Sequence, residues 1–192
     1  MIFNAKTLDN FLSLEECEEI LFLVKSIEPW EHDPEDSLWS NRSLSDYRIK
    51  TEYSEEIGNK LFQIKDNIGS KIKELYGLEE IYADLLSVSR WFPGMDQKPH
   101  ADDMTNVDHE DNEWFHHRDF GSVIYLNTDY QGGHTYYPNH NVEIVPKAGT
   151  LVIHPASPDH LHGVTAVIEN VRYTINSFWT KDKNYEDSGT IY

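Results

Sequence analysis

Three His-x-Asp tripeptides occur in the chain: His100-Ala-Asp102, His109-Glu-Asp111 and His117-Arg-Asp119. At a strand end, residues two apart point the same way, so an imidazole and a carboxylate at this spacing can aim at one ion. A second imidazole from a distant strand completes a set of two His and one carboxylate. Non-haem Fe(II) centres that activate O₂ use that set and leave the remaining positions open. In a chain with ten His and 34 acidic residues the tripeptide alone is no better than chance, and its surroundings must choose. His100-Ala-Asp102 follows the strand-like LLSVSRW and the turn FPGMDQKP, where a barrel rim would lie. His109-Glu-Asp111 sits in TNVDHEDNE, which lacks apolar alternation and reads as a solvated loop. His117-Arg-Asp119 directly precedes SVIYLN and is the rival, with Arg118 disfavouring a dication beside it.

Composition narrows the partners. The 192 residues are 39% hydrophobic and 12% aromatic, which suits one domain with a real core. No apolar run reaches the length of a membrane span, and MIFNAKTLDNFLSLEE does not read as a signal peptide. A formal net charge of −18 repels phosphate backbones and anionic lipid, so nucleic acid and membrane are disfavoured as partners. The single Cys17 excludes an internal disulfide framework and suits a reducing, cytoplasmic setting; in a helix it reads as a small buried thiol.

The elements that must hold such a site follow from pattern. Ser13 with Glu16 is a capping box, and Ile20, Leu21 and Val24 continue at helical spacing. Residues 30–47, polar with two Trp, read as a long loop. Ser54 caps a second helix whose apolar stripe is Ile57, Leu61, Ile64, Ile68, Ile72 and Leu75, and Gly77 ends it. After Tyr82 the period shortens to two. Strands are predicted over Leu86–Trp91, Ser122–Asn127, His134–Tyr137, Val142–Val145, Thr150–His154 and Arg172–Thr180, punctuated by Pro93-Gly94, Gly132-Gly133 and Lys147-Ala-Gly149. Short strands at this spacing predict an antiparallel sandwich or barrel, α+β in class but mainly β, with the helices buttressing one sheet. The chain divides into a helical segment of about residues 1–80, a β core of about 82–180 and a polar, mobile tail over 181–192.

Taken in order, RWFPGMDQKPHAD, GSVIYLNTDYQGGHTYYP, KAGTLVIHP and HLHGVTAVIENVRYTINSFW resemble the Fe(II)/2-oxoglutarate dioxygenase superfamily, nearest its prolyl 4-hydroxylase-like branch. The resemblance implies a double-stranded β-helix (jelly-roll) core. It implies His100, Asp102 and His162 as iron ligands. It implies Arg172, ten residues after His162, as the partner of the distal carboxylate of 2-oxoglutarate, with Thr135 supporting it. Trp91 stands where the branch usually has a Tyr that contacts this cosubstrate, and Tyr125 is the alternative phenol. By strand parity His160 competes with His162; the step to Arg172 favours His162. Arg172 taken alone also reads as a surface strand Arg in a salt bridge. His116, His117, His134, His140 and His154 are read as non-ligands, with His154 the one placed to support a ligand.

The resemblance further implies Fe(II), 2-oxoglutarate and O₂ as cofactors, with ascorbate a candidate reductant. The implied chemistry hydroxylates an unactivated C–H bond and releases succinate and CO₂. Trp91, Phe92, Tyr125, Tyr136 and Trp179 are candidate pocket walls, or equally sandwich core. A prolyl residue in a peptide is the leading substrate, then a free amino acid or other small molecule. Residues 30–47 and the acidic 103–113 are candidate substrate loops; the acidic one, where Asp103 is turned away from the metal on the opposite side of a strand, favours a cationic substrate such as a Lys/Arg-containing peptide. A cupin-like metal protein that does not use 2-oxoglutarate, and a non-catalytic β-sandwich binding module, are the competing classes. The sequence leaves the oligomeric state open.

Overall fold

The computed structural model describes residues 2–30, 39–103 and 115–187. Twelve strands are present among them: β1 (Lys6–Leu8), β2 (Ser43–Ser45), β3 (Tyr82–Trp91), β4 (Gln97–His100), β5 (Phe120–Tyr125), β6 (Gln131–Gly132), β7 (Thr135–Tyr137), β8 (Val142–Ile144), β9 (Leu151–Pro155), β10 (His162–Val164), β11 (Val167–Glu169) and β12 (Arg172–Thr180). The helices are α1 (Leu14–Ser26), the single turn α2 (Asp46–Arg48), which runs on into a π-helical turn over Ile49–Tyr53, and α3 (Glu55–Tyr76).

The strands form a six-stranded sheet in the order β1-β9-β5-β12-β3-β2, a four-stranded sheet in the order β4-β10-β7-β8, and the pair β11-β6. All the recorded pairings are antiparallel. Of the core strands, β3, β5, β9 and β12 lie in the large sheet and β4, β7, β8 and β10 in the small one, the two-sheet layout of a double-stranded β-helix. β12 is the spine: it pairs with β3 along Arg172–Thr180 and with β5 along Thr174–Trp179.

Side-chain parity then sorts the large sheet into two faces. Leu86, Val88, Ile124, Leu151, Ile153, Tyr173, Ile175 and Trp179 face outward onto α1 and α3 and form one core with Cys17, Ile20, Val24, Leu61, Ile64, Ile68 and Ile72. Each fully buried aliphatic side chain there is worth about 1.5–3 kcal/mol. The caps agree with the sequence. Ser13 and Glu16 bond each other's backbone at 3.1 and 2.8 Å, Ser54 accepts from Ile57 N–H, and Gly77 at φ 68° ends α3. The opposite parity carries Trp91, Gly121, Tyr125, Val152, His154, Arg172 and Thr174 inward, toward the small sheet.

Several expectations need correction. The first third is not purely helical: β1 pairs with β9, and β2 pairs with β3 inside the segment read as a loop. Leu44 is the lone apolar residue of β2, so local pattern could not show a strand made by distant pairing. β4 carries Pro99, which an edge strand tolerates because no ladder donor is lost there. The tail makes contacts with the body of the fold as far as residue 187. Tyr185 stacks on His117 at 4.0 Å, and Asp187 bonds Lys65 and the backbone of Ala83. Trp179 and Tyr136 do not line the interior. Trp179 has the parity of Ile175 and meets Gly69 of α3, while Tyr136 lies against Gly163 on the outer face of the small sheet. Residues 31–38 and 104–114, which include His109-Glu-Asp111, part of the first candidate substrate loop and nearly all of the second, lie outside the described residues.

Candidate metal centre and dicarboxylate pocket

His100 ends β4 and His162 opens the neighbouring β10, and the two are register partners. Their rings lie 4.5 Å apart between centroids. Asp102 follows β4 by two residues, in a turn rather than in a strand. Its Oδ1 lies 3.6 Å from Nε2 of His100 and 3.6 Å from Nε2 of His162. Among the described residues these three form the one group of His, Cys and acidic side chains whose donor atoms converge, all within 4.8 Å of one another.

The tautomers are set by backbone. Nδ1 of His100 donates to Lys98 O and Nδ1 of His162 donates to His160 O, each at 3.1 Å. A carbonyl can only accept, so each Nε2 keeps its lone pair for a cation. Burial, with His154 nearby, pushes His162 down to about 3, so it is neutral and ready to ligate. His100 is raised by Asp102 in spite of its own burial. Burial alone would raise Asp102, but the imidazoles of His162, His100 and His154 clustered around it hold it well below the usual carboxylate range.

A second layer reserves the other Asp102 oxygen. His154 Nε2 lies 2.9 Å from Asp102 Oδ2, and Tyr137 Oη lies 2.9 Å from His154 Nδ1. An ionised carboxylate only accepts, so His154 donates from Nε2 and accepts a hydrogen bond from the Tyr137 hydroxyl at Nδ1. Gly121 makes the space: a Cβ there would come within 1.9 Å of Asp102 Oδ2 and 2.6 Å of His154 Nε2. His154, set aside as a ligand, thus supports one. His160 does not share a strand with His162. It closes a 3₁₀ turn over Pro158–His160, accepts from Asn4 N–H, and lends its carbonyl to His162.

The rival His117 is stacked on Tyr185 and lies 3.3 Å from Asp84, which also holds Arg118 at 2.7 Å. Arg118 is further sandwiched by Phe115 and Phe178, each at 3.8 Å. Asp103 does not point to the far side of a strand, because it sits in the same turn as Asp102. Its backbone N–H bonds Ala156 O and its Oδ1 is buried without a partner.

Deeper between the sheets, Arg172 is 2% exposed and its Nε has no partner among the described residues. It is therefore not a surface salt-bridge Arg. Trp91, its register partner on β3, and Tyr125 flank it at 5.5 and 5.3 Å. Tyr125 donates to Thr135 Oγ1 at 2.6 Å, joining the two residues assigned to the carboxylate. Trp91 Nε1 and Thr174 Oγ1 are also buried and unpaired. Thr174 was missed, although it lies two residues beyond Arg172 and so shares its face. Enclosed donors without acceptors, around a buried guanidinium, fit an anion that the polypeptide does not supply. The apolar side is closed by Trp91, Val164 and Val167.

With the metal centre and this pocket in place, similarity to known proteins can be weighed. Residues 86–180 match the 2OG-Fe(II) oxygenase superfamily. The chain is 28% identical over 114 residues to a putative prolyl 4-hydroxylase of Acanthamoeba polyphaga mimivirus, covering 54% of this chain and 47% of that protein. It is 29% identical over 75 residues to prolyl 3-hydroxylase 1 of Gallus gallus, covering 36% of this chain and 10% of that one. It thus spans about half the length of the first relative and a tenth of the second. A prolyl hydroxylase of Trichoplax adhaerens, solved with a hypoxia inducible factor oxygen degradation domain peptide, superposes at a TM-score of 0.72 and 20% identity, over 96% of this chain and 86% of that one. The viral collagen prolyl hydroxylase of Paramecium Bursaria Chlorella virus-1, solved with 2OG, gives 0.66 and 18%, over 94% and 97%. At these identities the superpositions speak to the fold.

Proposed function

Because this chain belongs to the 2OG-Fe(II) oxygenase superfamily, we propose that it is an Fe(II)- and 2-oxoglutarate-dependent hydroxylase acting on a prolyl residue of a peptide or protein. The observation that carries this reading is the convergence of His100, Asp102 and His162 within 4.8 Å, in the same interior as the buried, unpaired Nε of Arg172. When bound, Fe(II) with 2-oxoglutarate and O₂ supplies the oxidising power that converts C–H to C–OH, with succinate and CO₂ released.

The chain's own residues bind, orient and exclude water. Asp102 Oδ1 and Nε2 of His100 and His162 would hold the metal, a set that leaves room for a cosubstrate. Arg172 grips the distal carboxylate, and its planar fork suits that group. Thr135, Tyr125 and Thr174 line the same recess, with Trp91 as a wall and candidate N–H donor. Charge balances: Asp102 and the dianion offset the metal and Arg172, as a buried site needs. A prolyl substrate is supported by the names of the relatives, which differ on the ring position hydroxylated, so the proposal leaves that position open.

Anaerobic addition of 2-oxoglutarate to the Fe(II)-loaded protein should produce the weak visible charge-transfer band of the chelate. The band should vanish in His100→Ala and persist in His117→Ala. No band in the unaltered protein sinks the reading. Succinate release from proline-containing peptides, compared with free proline and run with and without ascorbate, then tests the substrate and the proposed reductant.

A further inference from the structure

One enclosed phenol near Arg172 has no role in the assignment so far. Tyr130 lies between β5 and β6 and is 8% exposed. Its hydroxyl is buried without a hydrogen-bond partner among the described residues. Leaving a buried donor unpaired is costly, so such an orphan points to an absent acceptor.

Gly133 brings Tyr130 and Arg172 together. It adopts φ 63°, and a Cβ there would meet Arg172 Cδ at 2.9 Å and Tyr130 Cε2 at 3.2 Å. Glycine alone therefore lets the guanidinium stem and the phenol ring close over the same backbone point. Arg172 Nε and the Tyr130 hydroxyl are both buried and unpaired, and Arg172 lies close enough to act on the phenol. Burial pushes the Tyr130 phenol well above its ordinary value, against the pull of Arg172, so it remains a donor at any working pH. An enclosed guanidinium whose Nε lacks an acceptor, beside an enclosed O–H donor that also lacks one, matches a carboxylate. Tyr125 is differently placed, since its hydroxyl is already committed to Thr135.

We propose that Tyr130 donates a hydrogen bond to the distal carboxylate of the 2-oxo acid held by Arg172, and so makes the pocket select a dicarboxylate over a monocarboxylate of equal length. This rests on the function proposed above.

The test is calorimetric titration of the Mn(II)-loaded protein under nitrogen with 2-oxoglutarate and with 2-oxopentanoate, the five-carbon 2-oxo acid lacking the distal carboxylate. Tyr130→Phe keeps the ring and removes the donor, and retained Mn(II) affinity reports an intact centre. The variant should bind 2-oxoglutarate roughly 10- to 100-fold more weakly, the range for a hydrogen bond to a charged group, and 2-oxopentanoate within about twofold of the unaltered protein. Equal weakening of both ligands, or of neither, overturns the inference alone. An unaltered protein that binds no 2-oxoglutarate overturns it together with the proposed function.

Discussion

Replacing His154 with Leu removes the N–H that Asp102 Oδ2 accepts at 2.9 Å and strands the Tyr137 hydroxyl without an acceptor. Both groups are buried, with Tyr137 fully enclosed and His154 3% exposed. A hydrogen bond to an ionised group contributes about 1.5–3 kcal/mol net. In the metal-free protein His100, whose Nε2 lies 3.6 Å from Asp102 and whose protonated form Asp102 favours, is free to donate in place of His154. With an ion on Oδ1 it cannot, so most of the loss falls on the metal-bound state. At about 1.4 kcal/mol per decade this weakens metal binding roughly 10- to 150-fold, the scale known for partners of metal-bound carboxylates. The assay is an anaerobic Mn(II) titration followed by the paramagnetic resonance of free Mn(II), without cosubstrate, alongside thermal unfolding of the apo protein. His154→Gln, which keeps an amide donor, should recover affinity to within about fivefold. If His154→Leu binds Mn(II) as tightly as the unaltered protein, the relay does not orient Asp102 and the reasoning fails. Loss of affinity with no recovery in the Gln variant also refutes it.

Gly121→Ala puts a methyl 1.9 Å from Asp102 Oδ2, so it should both lower the apo unfolding temperature and abolish tight Mn(II) binding; an unchanged titration would contradict the close approach. Arg172→Met removes the buried cation while preserving much of its volume. It should weaken 2-oxoglutarate binding roughly 100-fold or more with Mn(II) affinity retained, measured by calorimetry. Burial raises the Cys17 thiol to about 11, so a thiolate-dependent reagent at pH 8 should label it only after denaturation; rapid labelling of the native protein would show the residue to be accessible.

Which features were legible in the sequence depends on the range of the interaction behind each. The helices were readable because caps and apolar stripes are local: Ser13 with Glu16, Ser54, Gly77 and the Ile57–Leu75 face all encode themselves within a turn or two. The β12 strand was readable because nine residues of alternating pattern express one buried sheet with two faces, and its bounds agree with the sequence. The order of motifs from His100 to Arg172 singles out one His-x-Asp of three, and its donor atoms converge with those of His162. Contacts made across the fold were hidden. β1, β2 and β4 are short edge segments whose pairing partners lie far away in sequence, so no local period marks them. The His154–Asp102 bond spans 52 residues, and nothing in LVIHP reports where its imidazole points. Parity could already have placed Thr174 beside Arg172 and turned Trp179 away from it. The orphaned Tyr130 hydroxyl is different in kind. Being buried and unpaired is a property of the assembled interior, and only the tertiary structure, with Gly133 folding the phenol onto Arg172, decides it.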